Sequence, residues 1–372
     1  MYICIGLTNK IKLLMIKFSE YVSLGHPDKI ADYISEYLLD RFIEQDKNTK
    51  YAVEVQIKDN YVTLGGEVTS NADISNADID KFVREAVNSI GYTKNYQLKW
   101  GKENTISGDD LQITNHIGRQ SAEIAQGVNE NEGWGDQGIF FGYAEPIKET
   151  EGMPFDYALA RRVNKMLFDK KLGGLDIKTE VIIQDDKINE IIAAVPTLTN
   201  NISEIKNTIG EYIVHNYKID DDFSIIVNGT GTYKCHSSIA DCGVTGRKLA
   251  VDFYGGNQKV GGGSVMSKDG SKADVTLNLF ARQLAKTEAF RLGESVESSI
   301  ACCIGQSEIL VSLRKLNCEH TLIYEKIMDV KPHELIERLG LNKPIYASMC
   351  KWGLFGEFQK DKKWENIYLK DD

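Results

Sequence analysis

The residues best suited to chemistry lie in one glycine-rich segment, residues 241–274, of a chain whose formal net charge is −10. Two glycine clusters, at 255–256 and 261–263, lie among cations that include Arg247, Lys248, Lys268 and Lys272. Glycine lets backbone N–H groups approach an anion closely, and fixed cations neutralise a polyphosphate. Because the local charge opposes the global charge, the segment indicates a nucleotide site.

A second anion site is indicated near the N-terminus, where the sequence SLGHPDK leads into a helix that begins at Pro27. The free N–H groups and the dipole of a helix start favour an anion, and His26 and Lys29 can donate to phosphate oxygens. Asp28 would repel a bare phosphate, which makes it a natural Mg²⁺ ligand. The alternative is that Asp28 is only a first-turn acid and His26 only a capping residue.

Two lone carboxylates stand beside glycines, Glu67 in GEVTS and Asp136 in GDQG. Each could bind an ammonium group or ribose hydroxyls, although such acids in turns are usually only solvated. The chain lacks the G-x-x-x-x-G-K-[ST] pattern, and no G-x-G-x-x-G follows a strand. These absences argue against a P-loop ATPase and a Rossmann dinucleotide site.

The elements that position these residues follow from hydrophobic periodicity, which predicts an α+β fold with helices on one face of each sheet. The predicted helices span residues 27–46, 77–90, 154–169, 204–216, 272–291 and 332–339. The predicted strands span residues 51–57, 61–69, 137–143, 178–184, 187–195, 223–227 and 299–313. Residues 101–135 show no strong periodicity, and we expect them to form a mobile functional lid.

Length and composition limit the classes of protein to which the chain could belong. A chain of 372 residues with a net charge of −10 is expected to form two or three domains and argues against binding to nucleic acid or an anionic membrane. No apolar run reaches membrane-spanning length. The seven cysteines include no C-x-x-C pair, which indicates reduced thiols in a cytoplasmic enzyme. We expect Met15 to be the natural start and residues 1–14 a disordered extension.

Ten segments of the chain, from about Phe18 to Trp364, match one family in order and spacing. They are SLGHPDKIADYIS, YAVEVQIK, LGGEVTS, GRQSAEIAQGV, GDQGIFFGYA, DIKTEV, VNGTGTY, DCGVTGRKLAVDFYGG, GGGSVMSKDGSKAD and KPIYASMCKWGLFGE. The chain resembles the S-adenosylmethionine synthetases, also called methionine adenosyltransferases. The resemblance implies an ATP:L-methionine S-adenosyltransferase that forms S-adenosylmethionine by sulfur attack on the ribose C5′ and then hydrolyses the triphosphate to pyrophosphate and phosphate.

The resemblance also implies residue roles. With Lys29 from the helix start, the expected ATP-binding residues are His26, Asp176, Lys178, Thr232, Tyr233, Asp241, Arg247, Lys248, Ser264 and Lys268. The expected methionine-binding residues are Glu67, Gln120, Asp136, Asp241 and Lys272. Those expected to serve catalysis are His26, Lys178, Asp241, Arg247, Lys248, Lys268 and Lys272. The expected metals are two Mg²⁺ per site, held by Asp28 and Asp274, and K⁺ at Glu54.

For the fold, the resemblance implies three similar α+β domains about a pseudo-three-fold axis. The expected limits are an N-terminal domain at 15–118, a central domain at 119–235 with a mobile loop at about 120–130, and a C-terminal domain at 236–372. Active sites shared between two subunits imply a homodimer, or a dimer of two such dimers.

The chain departs from the family pattern beside the expected pocket. His236-Ser237-Ser238 replaces Gly-Gly-Pro, Ala240 replaces a glycine, and Tyr233 stands for phenylalanine. A tyrosine ring still stacks on adenine. Because the charged positions are intact, we expect an active member. The alternatives are a catalytically silent regulatory paralogue and an alkyl transferase that uses another thioether.

Overall fold

The structure is a computed structural model that describes residues 2–3, 14–118, 133–218, 222–317 and 319–368. Gln120, the predicted loop at 120–130 and most of the predicted N-terminal extension lie outside these residues. None of the helices that the structure describes combines the length and apolar character needed to cross a membrane.

Helices and strands are interspersed along the chain. The strands are β1 (Tyr2–Ile3), β2 (Leu14–Val22), β3 (Lys50–Lys58), β4 (Tyr61–Thr69), β5 (Gln112–Gly118), β6 (Gly138–Ala144), β7 (Lys178–Gln184), β8 (Lys187–Ala194), β9 (Ser224–Val227), β10 (Gly243–Val244), β11 (Val296–Cys302), β12 (Glu308–Lys315) and β13 (Leu322–Asp329). The α-helices are α1 (Pro27–Gln45), α2 (Asn76–Ile90), α3 (Lys94–Trp100), α4 (Phe155–Lys170), α5 (Ile202–Tyr217), α6 (Leu249–Asp252), α7 (Ala273–Leu292), α8 (Pro332–Leu339) and α9 (Tyr346–Met349). Short 3-10 turns lie at Gly108–Asp110, Lys148–Thr150, Ser237–Ile239, Gly255–Asn257, Glu357–Gln359 and Lys363–Glu365. The six predicted helices are therefore confirmed.

The strands form three sheets, each covered by helices. The N-terminal sheet has the order β10-β3-β4-β5, the central sheet β1-β2-β7-β8-β9, and the C-terminal sheet β13-β12-β11-β6. Helix α1 packs on β3 and on α2, α4 packs on β2 and β7, and α7 packs on β6 and β11. The predicted α+β class is confirmed, since each sheet buries its apolar face beneath helices.

Three stretches of the sequence were predicted wrongly. The single strand predicted at 299–313 is two antiparallel strands, β11 and β12, joined by a turn. The stretch at 101–135 contains strand β5, which pairs in parallel with β4. Strand β2 begins at Leu14, the last residue of the predicted N-terminal extension, and pairs with β7, about 160 residues away in sequence. A parallel or distant partner leaves no local hairpin signal, which is why β5 and β2 were missed.

Two parts of the glycine-rich segment lie along one edge of β3. The strand β10 pairs with residues 56–57, and Thr245 donates its N–H to Val55 O. Further along, Lys268 bridges to Ala52, and Val53 donates to Ser267 O. At about 3.3 Å per residue, the two attachments lie roughly 13 Å apart. Strand β3 therefore fixes where both halves of the segment lie. The limits of the three expected domains remain a prediction.

Candidate functional site

The N-terminus of α1 gathers the first group of site residues around Asp28. This carboxylate is fully buried, and Lys248 Nζ lies 2.5 Å from Oδ2 while Arg247 Nε lies 3.4 Å from Oδ1. The Val244 N–H also donates to Asp28 Oδ1 at 3.0 Å. A buried carboxyl group held by two cations and an N–H group fixes the position of both cations.

His26 caps α1 and faces the same group. Its side chain accepts the Asp28 N–H at 3.2 Å, which identifies Nδ1 as the unprotonated ring nitrogen. Burial and the nearby Lys248 charge lower the pKa of His26 below its ordinary 6.5, although Asp28 and Asp241 oppose the shift. The imidazole is therefore neutral near pH 7, with Nε2–H as its donor.

The second group lies where the glycine-rich loop meets the start of α7. Lys268 Nζ lies 2.6 Å from Asp274 Oδ2, and the Gly263 N–H donates to Asp274 Oδ1 at 2.7 Å. Lys272 is held by a third acid, the buried Asp269, at 3.0 Å. Each cation of this segment that is predicted to bind phosphate or methionine is thus oriented by a partner carboxylate.

The two groups meet through a close backbone approach. Gly246, which precedes Arg247, has a φ of +75°, and a Cβ there would lie 2.7 Å from Ser264 Oγ. Ser264 follows Gly263, the residue that donates to Asp274. Only glycine suits both the conformation and the space at position 246. The approach of Gly246 to Ser264 therefore brings together the half of the segment that carries Arg247 and the half that carries Lys268.

The residues predicted to surround adenine and ribose lie next to the first group. The Asp176 carboxylate accepts the Ser237 N–H at 3.1 Å. Burial raises the pKa of Asp176 to about 7, and the Asp241 charge adds to the shift. Burial and the Asp176 charge also raise the pKa of Tyr233, so the tyrosine ring lies near that carboxylate. Thr232 is exposed beside it.

Lys178 and Asp241 lie on the open side of this group. Lys178 forms an ion pair with Glu20, and half of its side chain is exposed. Asp241 is exposed and accepts the Cys242 N–H, and its charge acts on both His26 and Asp176. Both side chains are thus accessible to a ligand from solvent.

The predicted methionine and potassium residues lie on exposed parts of two sheets. Glu67 on β4 is paired in register with Ala52, the residue that bridges to Lys268, so it lies near the second group. Glu54 is also exposed on β3. Asp136 is exposed at the start of β6, and the Cys302 thiol donates to its backbone carbonyl. The charges of both Asp136 and Asp274 help to raise the pKa of Cys302, after burial as the main cause.

The structure places Lys29 away from the site, which contradicts the prediction that it binds phosphate. Its side chain is 2% exposed, and Nζ lies 3.0 Å from Asp32 Oδ2 and 2.6 Å from Asp252 Oδ1. Burial disfavours its charge, but Asp252 and Asp32 outweigh burial and raise the pKa of Lys29. Lys29 therefore anchors the core beneath the site.

Three further acids on α1 were missed by the sequence reasoning. With Asp28 they form an acidic row at every fourth residue: Asp28, Asp32, Glu36 and Asp40. Each of the four is buried and accepts at least one backbone N–H. The donors are Val244 for Asp28, Gly246 for Asp32, Ser267 for Glu36, and Tyr346 with Ala347 for Asp40.

The acidic row ties both halves of the glycine-rich segment to one rigid helix. Asp32 holds the half that carries Arg247, and Glu36 holds the half that carries Lys268. The spacing of four residues was a visible signal, because it puts all four acids on one helical face. Acids on a helix are usually solvated, however, and nothing local in the sequence reveals these distant donors.

Comparison with known proteins identifies the family. The family model described as "S-adenosylmethionine synthetase, N-terminal domain" matches residues 15–122, and the corresponding C-terminal domain model matches residues 235–366. An S-adenosylmethionine synthase from Mycoplasma capricolum is 33% identical, covering 94% of this chain and 94% of the relative. One from Mycobacterium sp. (strain KMS) is 34% identical, covering 95% and 96% respectively. The chain belongs to the S-adenosylmethionine synthetase family.

The fold agrees with this assignment. A solved structure described as an unusual S-adenosylmethionine synthetase from Campylobacter jejuni matches with a TM-score of 0.82 and 30% identity. The match covers 95% of this chain and 97% of that one. The resemblance stated from the ten sequence segments is thereby confirmed, and this S-adenosylmethionine synthetase family member has the family's α+β fold.

Proposed function

We propose that the chain joins ATP and L-methionine into S-adenosylmethionine. Family membership supports the activity, and the cations around Asp28 supply the chemistry that it needs. In the reaction the methionine sulfur attacks the ribose C5′. The new S–C5′ bond forms as the C5′–O bond breaks, and the triphosphate leaves with the electron pair.

The main requirement of the reaction is to stabilise the triphosphate leaving group. A thioether sulfur carries no proton, so its attack needs no general base. Negative charge gathers on the triphosphate as it departs, and fixed cations stabilise it without reorganising. Lys248 and Lys268 are already oriented by Asp28 and Asp274, respectively. This preorganisation is the observation that carries the proposal.

The nucleotide contacts follow from the arrangement of the site. His26 Nε2–H, Arg247 and Lys248 would contact the triphosphate from the start of α1, and Lys268 would contact it from the second group. The residues assigned to the adenosine end are Asp176, Lys178, Thr232, Tyr233 and Ser264. Lys29 is left out, because its ammonium group is buried between two carboxylates.

Methionine would bind beside the second group. Glu67 and Asp136 offer carboxylates to the amino group, Lys272 offers a cation to the carboxyl group, and Gln120 would join them from outside the described residues. Asp241 is exposed near His26 and would favour the positive charge of the new sulfonium. The same cations would hold the triphosphate for its hydrolysis to pyrophosphate and phosphate.

The donor set fits Mg²⁺. Among the described residues no group of three His, Cys, Asp or Glu side chains could hold a metal ion. Mg²⁺ usually binds one or two carboxylates together with substrate phosphates, so single acids suffice. Asp28 and Asp274 would each hold one Mg²⁺, which supplies positive charge to the leaving triphosphate. K⁺ at Glu54 would need further ligands, because this acid lies on an exposed strand face.

An exposed apolar row across the C-terminal sheet supports association of two copies, and family membership supports active sites shared between them. Ile139, Ala301, Leu310 and Ile327 are adjacent across its four strands. Ile139 is 58%, Leu310 45% and Ile327 67% exposed. Large exposed apolar side chains in one row are typical of a surface that a partner covers. Two such dimers could associate further, and light scattering distinguishes the two states.

We also place the enzyme in the cytoplasm. The described cysteines Cys235, Cys242, Cys302, Cys303 and Cys350 are all free thiols. Free thiols at exposed positions, such as Cys235 and Cys303, are typical of a reducing compartment.

The decisive experiment incubates the protein with ATP, L-methionine, Mg²⁺ and K⁺, and measures sulfonium product, phosphate and pyrophosphate. We expect all three from the wild-type chain. Lys248→Met should lower kcat/KM by about 10²- to 10³-fold, the size found for one lost oxyanion donor. Lys206→Met, which changes an exposed lysine on α5, is the matched control. Absence of sulfonium product from the wild-type chain would refute the proposal.

A further inference from the structure

His236 is a buried histidine that the proposed chemistry does not use. Its side chain lies among three aromatic rings, those of Tyr92, Tyr96 and Trp100, and its centroid lies 4.7 Å from that of Trp100 in an edge-to-face contact. Burial lowers the pKa of His236 to about 4, so the ring is neutral near pH 7. A buried neutral imidazole has one donor and one acceptor, and both must be satisfied.

The hydrogen bonds of His236 fix its tautomer. Nδ1 lies 2.7 Å from the Lys234 carbonyl oxygen, which can only accept, so we assign the ring proton to Nδ1. Nε2 must then accept from the Tyr96 hydroxyl at 2.8 Å. That hydroxyl in turn accepts the Leu175 N–H at 3.0 Å. A complete chain of hydrogen bonds therefore runs from Leu175 through two side chains to Lys234.

This chain joins the two loops that carry the residues assigned to adenosine. Leu175 immediately precedes Asp176, and Lys234 immediately follows Tyr233. The His236 backbone N–H binds Asn104 O at 2.8 Å, which ties the second loop to the turn after α3. The hydrogen bonds of His236 therefore help to hold the Asp176 loop beside the Tyr233 loop, together with the backbone bond from Thr197 N–H to Tyr233 O.

The backbone beside His236 has an unusual conformation. Ser237 has a φ of +63°, a left-handed conformation that costs a non-glycine residue roughly 1 kcal/mol or more. In this conformation its N–H donates to Asp176 Oδ2. The family pattern has two glycines at positions 236 and 237. This chain keeps a glycine-like turn there and adds the hydrogen-bonded link from Leu175 through Tyr96 and His236 to Lys234, which we call the tether.

We propose that His236 is a positioning residue for the nucleobase end of the ATP site, acting through Tyr96 on the Asp176 loop and through Lys234 on the Tyr233 loop. The proposal rests on the function proposed above. It assigns a role in ATP affinity to a side chain that touches no substrate atom. Loss of the tether should let the two loops separate, so ATP binding weakens while the chemistry at C5′ is unaffected.

The test uses two variants that break the tether at different points. His236→Gly removes the imidazole, and Tyr96→Phe keeps the aromatic packing but removes the hydroxyl that links Leu175 to His236. We expect each to raise the Kd for a nonhydrolysable ATP analogue, and KM for ATP, by about fivefold or more, as for the loss of one or two hydrogen bonds. Values of kcat and KM for methionine should stay within about twofold.

Two control variants separate positioning from general stability. Ser237→Gly keeps the tether, relieves the left-handed strain and should leave ATP affinity unchanged while raising Tm. His333→Ala removes a histidine whose side chain is 62% exposed, and it should change nothing. If Tyr96→Phe folds and its ATP affinity is unchanged, the inference is overturned. That result differs from failure of the proposed function, in which the wild-type chain itself makes no sulfonium product.

Discussion

Replacing Lys29 with methionine tests whether this residue supports the core or binds ATP. The buried ammonium group lies 2.6 Å from Asp252 and 3.0 Å from Asp32, and it is the only cation within ion-pair distance of either acid among the described residues. Asp252 Oδ2 has no hydrogen-bond partner. Methionine keeps the length of the side chain but leaves two buried carboxylates without a counter-charge.

The expected loss of stability is large. Removing one partner from a buried ion pair costs about 3–5 kcal/mol, because the remaining charge is left uncompensated. For a chain of 372 residues this corresponds to a fall in Tm of roughly 4 to 6 °C. Asp32→Asn is the matched change within the same cluster. It leaves the Lys29–Asp252 pair in place and keeps an oxygen to accept the Gly246 N–H, so we expect a loss of only about 1 kcal/mol.

The stability of Lys29→Met should also depend on pH with a definite sign. Burial raises the pKa of Asp252, and Lys29 opposes that shift, so the variant should raise this pKa further. When a carboxyl group has a higher pKa in the folded state than in the unfolded state, the folded state binds more protons at pH values between those two pKa values. Stability is then retained below the unfolded pKa and lost as pH rises through the folded one. The gap in Tm between variant and wild type should therefore be smaller at pH 5.5 than at pH 8.

Thermal unfolding at both pH values, with KM for ATP measured at a temperature where both proteins are folded, decides between the two roles. We expect the lower Tm together with KM for ATP within about twofold of wild type. An unchanged Tm combined with a KM for ATP raised tenfold or more would refute the reasoning, because it would return Lys29 to the triphosphate.

Three further changes test other parts of the site. Lys268→Met should lower kcat/KM by about 10²- to 10³-fold in the product assay, and an effect below tenfold would remove it from the triphosphate contacts. Asp241→Asn should lower kcat more than it weakens ATP binding measured by calorimetry; equal losses in both would contradict its role toward the sulfonium. Burial raises the pKa of Glu36 well above its ordinary value, against the opposing Ser267 N–H, and one of its oxygens has no partner, so a neutral side chain suits this position. Glu36→Gln should therefore cost under about 1 kcal/mol in thermal unfolding, whereas Glu36→Ala should cost about 2 kcal/mol or more through the orphaned N–H and the cavity.

The parts of the fold that the sequence predicted are those with a local signal. Helix α1 begins at Pro27 as predicted, because proline suits the first turn and apolar residues repeat beyond it. The strand pair β7 and β8 was predicted from its alternation and from the turn at Asp185-Asp186, both of which have positive φ. Strand β5 was missed, because it pairs in parallel with β4 across a connection that contains α2 and α3.

The candidate site was predictable in its residue types but not in its pairings. His26, Arg247 and Lys248 do meet at Asp28, as a phosphate site requires. Lys29 carried the same sequence signal as His26, yet it points into the core. The turn of the helix decides this, since Lys29 lies one residue beyond Asp28 and reaches Asp32 at the i+3 position. The second acid, Asp252, is 223 residues away, and no local pattern could have revealed it.

The acidic row on α1 explains how a glycine-rich segment can present cations at fixed positions. Glycine gives the backbone freedom to approach an anion, but that same freedom would let Arg247 and Lys268 move apart. Asp32 and Glu36 remove it by binding the backbone next to each cation, one helical turn apart. Because a helix is rigid over one turn, the separation of the two halves is set by α1 and by the edge of β3. Electrostatic stabilisation of a leaving group is effective only when the cations are already in place, so in the proposed reaction these buried acids would contribute without contacting substrate.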